Sequence, residues 1–340
     1  MQLLNLGQAF IYLIVQLNSR KIANVNQSIT IRGQGKGVTR LLWNDQGSGA
    51  GIGLSHTDIG NGSSRYNIYD LSLVTKGNSR STCLNIVNNS SNIFGGYLSM
   101  RGVAITGYGG QASGNAGWVS CLTMIGISFN NIVDCDFIGN NDNNSNYSVG
   151  VSVLSQHYDS NTVNSIVTNI TDCIFLRLMR GVENKIDTQG LTISQSNFTN
   201  CQTGVYVPDN GYQIGITNSQ FDCYYCAVLF DGGTTCFLFS NNLVFTRYMN
   251  TFGIACNAYI DGYIITGNQF EGNGSGYAIM MHRASPQGLD TNIISNNIIR
   301  KYAVGITLDQ DTRGWKVFGN AYASNSSNIL NQGRNNTISN

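Results

Sequence analysis

The sequence predicts an all-β fold, a right-handed parallel β-helix: a solenoid of about eleven coils carrying three parallel sheets. Three observations predict it. The composition is rich in turn formers and poor in charge, an apolar motif recurs with a period near 24 residues, and one position of that motif is held by small polar side chains.

Charged residues make up 11% of the chain, against roughly 25% in an average soluble protein. Asn supplies 44 and Gly 40 of the 340 residues, and Pro only 2. Disorder requires low hydrophobicity and high net charge, whereas this chain is 41% hydrophobic with a net charge of +1. A collagen would place Gly at every third position, and none of that period is present. An ordered, turn-dense β protein remains, its surface polarity carried by Asn, Ser and Thr. No cluster of Lys and Arg marks a nucleic-acid partner. The longest apolar run, Ala9 to Val15, is too short to span a bilayer. It lacks the basic start of a signal peptide, because the first positive side chain is Arg20. Residues 1–27 are therefore read as an N-terminal strand or cap segment, 28–335 as the β-helix and 336–340 as a tail.

Nine cysteines is an odd number. Cys223 and Cys226 form a lone CxxC, with neither the second ligand pair that zinc needs nor a βαβ context for redox chemistry. The cysteines read as small buried residues in a protein folded in a reducing compartment, with Cys135 and Cys173 as neighbours one coil apart.

The repeat runs apolar, four residues, apolar. It occurs at Ile132–Phe137, Ile170–Phe175, Ile193–Phe198, Ile216–Phe221, Phe239–Val244, Ile265–Phe270, Ile293–Ile298 and Val317–Tyr322, with weaker copies at Ile68–Leu73 and Leu98–Val103. The closing residues, including Phe137, Phe175, Phe198, Phe221, Val244, Phe270 and Ile298, are expected to be buried. Each unit then carries a second apolar strand: Gly181 to Asn184, Gly204 to Val207, Ala227 to Phe230, Gly253 to Cys256, Ala278 to Met281 and Gly305 to Leu308. Short strands of this kind cannot bury a face alone, but stacked coils can. Two residues before each closing position stand Cys135, Cys173, Ser196, Ser219, Asn242, Asn268, Asn296 and Asn320. Asn tolerates the left-handed conformation that a sharp corner requires. Stacked at about 4.8 Å, its amide can bond to the Asn above and below.

The stretch from Ser28 to Leu41 resembles the opening coil of pectate-lyase-like β-helices, with Ile31, Gly33, Gly35, Thr39 and Leu41 matching their I-x-G-x-G-x-x-x-T-x-L pattern. The later repeats resemble the I-x-x-N-x-F repeats of the same superfamily, and phage tailspikes and capsule depolymerases are the most similar branch. The resemblance covers roughly residues 28 to 335. It implies a polysaccharide partner, an extracellular or virion-associated setting and a possible homotrimer. The chain departs from the family in lacking a capping helix before Gln27, the polygalacturonase signatures and a trimerising domain after Asn331, so a truncated or minimal member is expected. No cofactor and no metal are expected: calcium is compatible with the fold, but no clear site for it is visible.

Substrates of such folds usually lie on the outer face of the strand after the longer loop, here the Gly-Val-Tyr-Val series. Alternation along a strand turns Glu183, Tyr206, Leu229, Ala255, Met280 and Thr307 outward. Two residues on come Lys185, Pro208, Asp231, Asn257, His282 and Asp309, flanked by Arg283 and Asp311. Insertions at 107–119, 139–148, 155–165 and 283–291 are expected to wall a groove. Trp118 on a wall and Tyr206 on the floor would stack on sugar rings, with Glu183 and Asn257 as further substrate contacts. Two chemistries compete. β-Elimination would use His282 as base and Arg283 to neutralise a uronate. Hydrolysis would use a carboxyl pair, with Asp309 and Asp311 roughly 6–7 Å apart on an extended strand; Asp231 is a further catalytic candidate on the same face, but at about 14 Å by coil stacking it is too far from Asp309 to pair with it. A non-catalytic carbohydrate-binding or structural shaft is the alternative to either enzyme.

Overall fold

In a computed structural model of the chain, the described residues are 14–16, 22–24, 28–43, 51–56, 63–76, 82–90, 96–107, 117–139, 148–158, 161–282 and 292–339. They form a right-handed parallel β-helix. Each coil contributes to three sheets, called I, II and III in the order the chain meets them. Sheet I runs from Ile29–Arg32 through Asn130–Val133, Ile166–Thr171, Thr188–Ser194, Gly211–Thr217 and Thr234–Ser240 to Trp315–Phe318 and Thr337–Ser339. Sheet II holds the closing residues, and sheet III the Gly-Val-Tyr-Val series. Counting the described strands gives twelve in each sheet, one more than the repeats predicted. The solenoid also passes both predicted bounds: Ile14–Gln16 pairs with Arg40–Trp43, Ile22–Asn24 with Ile52–His56, and Thr337–Ser339 with Trp315–Phe318.

The closing column is a core ladder. Phe137, Phe175, Phe198 and Phe221 are fully buried and stack with centroids 5.0, 4.5 and 4.6 Å apart. In-register parallel pairing puts identical rings face to face, which is why one residue type recurs. At the penultimate coil the expected register is corrected by one residue. Phe270 pairs with Ile299, and Ile298 points outward at 48% exposure. The unit is Ile294–Ile299, because Ile293–Ile294, Asn296–Asn297 and Ile298–Ile299 are doublets that fit the pattern in either frame.

The ladder at the corner between sheets I and II shifts accordingly, to Asn242, Asn268, Asn297 and Asn320. Asn268 Nδ2 donates to Asn297 Oδ1 at 2.9 Å, and Asn297 Nδ2 to Asn320 Oδ1 at 2.9 Å. The left-handed residue is not the ladder residue but the one before it: Asp134, Asp172, Gln195, Asn218, Asn241, Gly267, Asn296 and Gly319 all have φ between 51° and 68°. That residue turns the chain and aims the next side chain inward, onto the backbone of the coil before and the amide of the coil after.

The opening motif has a packing cause. A Cβ on Gly33 would lie 2.3 Å from the Asp70 carbonyl oxygen, and Gln34 N–H donates to Thr39 Oγ1 at 3.0 Å, closing the loop on itself. All nine cysteines are free and all but Cys236 are buried. Cys135 and Cys173 stand one coil apart, as expected, at the corner ladder. Among the described residues no helix is long and apolar enough to cross a membrane.

Candidate functional site

The outer face of sheet III carries the predicted residues in the predicted columns. Glu183, Tyr206, Leu229, Ala255, Met280 and Thr307 are successive register partners. At the end of each strand the next outward residue is fixed by its own backbone: the N–H groups of Asp231, Asn257, His282 and Asp309 donate to Val207, Phe230, Cys256 and Met281 at 2.8–3.0 Å. These four side chains therefore occupy consecutive rungs in one row, about 14 Å from first to last at strand spacing.

Two contacts organise the row. His282 Nδ1 lies 2.8 Å from Asp309 Oδ2, with both side chains partly exposed. The His282 contact and the Gln310 N–H at 2.6 Å hold the Asp309 carboxyl below the usual carboxylate range. A carboxylate only accepts, so Nδ1 carries the proton of this contact, and in the neutral imidazole Nε2 is then the nitrogen with the lone pair. Two rungs away, Tyr206 Oη donates to Asp231 Oδ2 at 2.9 Å and Asn257 Nδ2 to Asp231 Oδ1 at 2.8 Å. Burial and the Asp231 charge push the Tyr206 phenol up to about 12. It stays protonated at neutral pH and acts as a donor.

Several expectations change. Glu183 belongs to the outward column but is only 2% exposed, ion-paired to Arg180 and, at 2.6 Å, to Lys185. The Arg180 guanidinium also lies over the Tyr206 ring, 4.0 Å from its centroid. Glu183 thus anchors two cations and is not available as a substrate contact. Arg180 went unnoticed in the sequence; its signal was its spacing of three residues before an outward Glu. Trp118 is no groove wall: it is 3% exposed and packs edge-on against Trp43 at 5.4 Å inside the core. The Asp309 and Asp311 pair loses its geometric premise, because 309–312 is a turn. Thr312 N–H donates to the Asp309 carbonyl at 2.9 Å and its hydroxyl does so at 2.7 Å. Arg283, and with it 283–291, 108–116, 140–147 and 159–160 of the expected walls, lie outside the described residues.

The sequence profile of a family described as "Periplasmic copper-binding protein (NosD)" matches residues 178–340, a little under half of the chain. Among the described residues no three of His, Cys, Asp and Glu come together as a metal site. No curated protein matches by sequence. Two solved structures with similarity are mannuronan C-5 epimerase A-modules from Azotobacter vinelandii. That of AlgE6 is 13% identical, covering 96% of this chain and 86% of its own, with a TM-score of 0.46. That of AlgE4 is 13% identical, covering 96% and 88%, with a TM-score of 0.31. From the coil architecture and the repeats that build it, the chain is a right-handed parallel β-helix.

Proposed function

We propose that this protein binds an acidic polysaccharide on the outer face of sheet III and cleaves it by proton abstraction. The observation that carries the reading is the His282–Asp309 hydrogen bond of 2.8 Å on a half-open face. Asp309 orients the imidazole and stabilises the imidazolium that forms when Nε2 takes a proton. A carbon-bound hydrogen beside a uronate carboxylate is the acid this base fits. The electron pair left behind becomes a new carbon–carbon double bond and expels the glycosidic oxygen at the neighbouring carbon, which takes up a proton from solvent, so that an unsaturated uronate and a free hydroxyl remain. Asp231, held by Tyr206 and Asn257, accepts from sugar hydroxyls two rungs away, and Arg180 and Lys185 raise the local potential for an anionic chain. Arg283, next in sequence to the base, is the uronate neutraliser in this scheme. The reading places the protein outside the cytoplasm, where polysaccharides are met, and the homotrimer expected from the superfamily belongs to the same proposal.

One observation favours a second reading, a non-catalytic carbohydrate-binding or structural β-helix. Asp231 already has two donors and Glu183 two cations, which is how a surface is stiffened. Incubation with a panel of acidic and neutral polysaccharides, followed by reducing ends and by the absorbance of unsaturated uronates, separates the two. The enzyme reading expects turnover that falls at least about 100-fold in His282→Ala and in Asp309→Asn. Full activity of both variants, or binding without any turnover, sinks it.

A further inference from the structure

On the same side of the solenoid, a strip of aromatic side chains follows the corner where sheet II passes into sheet III. Cys226, Phe252 and Tyr277 are register partners at the start of their strands. Phe252 and Tyr277 stack with centroids 5.6 Å apart and planes within 7°, and Tyr225 meets Phe252 edge-on at 5.5 Å. Tyr224 and Tyr248 form a second pair at 4.4 Å. Tyr225 and Tyr248 are exposed, and Met249, next in sequence to Tyr248, is 78% exposed. A core position would not leave these side chains in water, and exposed contiguous apolar surface marks a binding face.

We propose that this strip is a second carbohydrate-contacting surface, holding pyranose residues of the polymer on the rim opposite the His282–Asp309 row. The assignment rests on the polysaccharide reading above for the identity of the polymer. Three features favour a sugar chain over a protein partner. Phe252 and Tyr277 stand on successive rungs with centroids 5.6 Å apart, and Tyr225 continues the strip on the rung before, so the aromatic side chains follow the solenoid axis along which a sugar chain would lie. Polar groups are interleaved with the rings: the Asp222–Arg247 pair at 2.9 Å and the tyrosine hydroxyls can serve sugar hydroxyls while the rings cover C–H faces. The strip is also continuous with the candidate site. Phe252, Met280 and Tyr206 pack on the same small apolar patch of Cys226, Leu229 and Ala255, on the outer face of the sheet. From Phe252 to Asn257 the strand crosses about 16 Å at roughly 3.3 Å per residue. An apolar floor of that width, with aromatic rings on one rim and the polar row on the other, suits a single glycan strand lying along the solenoid axis.

The test is native affinity electrophoresis in gels containing each polysaccharide of the panel, run on the wild-type, His282→Ala and the double variant Tyr225→Ser/Tyr248→Ser. Both tyrosines are partly exposed and each loses one ring contact, so unchanged circular dichroism and a slightly lowered melting temperature are expected for the double variant. In the gel that retards the wild-type, His282→Ala should still be retarded. The double variant should bind at least about tenfold more weakly, the loss of two ring contacts. A catalytically inert protein would still show this pattern, so failure of the proton-abstraction scheme is read separately, from turnover. Equal retardation of wild-type and double variant in every gel, including no retardation of either, overturns the proposal. So does an oligomer in sedimentation that the double variant dissolves, which would make the strip an interface between copies of this chain.

Discussion

Asn268→Leu is the sharpest test of how the coils are held at the spacing on which the outer row depends. Asn268 is 2% exposed and joins three coils. Its Nδ2 donates to the Phe239 carbonyl at 2.8 Å and to Asn297 Oδ1 at 2.9 Å. Its Oδ1 accepts from Asn242 N–H at 2.9 Å and from Asn242 Nδ2 at 3.1 Å. Leu is nearly isosteric but can do none of this. Asn242 Nδ2 keeps its bond to the Ile216 carbonyl at 3.0 Å, and Asn297 Oδ1 keeps the Asn268 backbone N–H at 3.0 Å. The Asn242 N–H loses the acceptor it has here. One newly unsatisfied buried group costs about 1–3 kcal/mol. With the remaining lost bonds the substitution should cost about 2–4 kcal/mol. Asn268→Ser should cost less, because Ser219 shows what a hydroxyl does in this column: it accepts from Ser196 N–H at 3.1 Å and donates to the Thr217 carbonyl at 2.9 Å. Urea unfolding followed by circular dichroism, with midpoints compared at constant slope, measures both. A Leu variant within about 0.5 kcal/mol of wild-type, the range of a neutral surface change, refutes the ladder argument. So does a Ser variant as damaged as the Leu variant.

Three further outcomes are expected. Phe198→Ala should lower stability by about 3–5 kcal/mol, because the ring is fully buried between Phe175 and Phe221 and the stack cannot collapse without breaking register; an unfolding midpoint near wild-type would contradict it. Native alkylation read by mass should label Cys236 first, since it alone is exposed and burial pushes thiols such as Cys121 and Cys201 up to about 12; rapid uptake of several labels would count against this core. Lys301 and Arg300 hold the Glu271 carboxyl below its ordinary 4.5. Its contribution is therefore fully present above pH 4.5 and is lost as pH falls through the depressed value. Relative to Glu271→Gln, the wild-type advantage in unfolding midpoint should shrink on acidification below that pH, and a constant or growing advantage would be the wrong sign.

What the sequence determined by itself is whatever follows from two periods. A coil near 24 residues and a strand alternation of 2, stacked parallel and in register, settle which side chains are neighbours. Hence Tyr206, Asp231, Asn257, His282 and Asp309 could be placed on one outer face without coordinates. The phenylalanine stack was legible for the same reason. Where the pattern is degenerate, as at Ile293–Ile294 and Asn296–Asn297, periodicity has two equal solutions, and packing chose between them by burying Ile299. The tertiary structure alone decided what covers an outward residue and how a strand ends. Glu183 is outward by alternation, yet Arg180 and Lys185 close over it. Trp118 packs edge-on against Trp43, a residue 75 positions earlier. Asp309 begins a turn that carries Asp311 away and leaves His282 as its partner. Alternation fixes a direction for each side chain on a strand, but the partner it finds at the strand's end depends on the turn there and on neighbours one coil away.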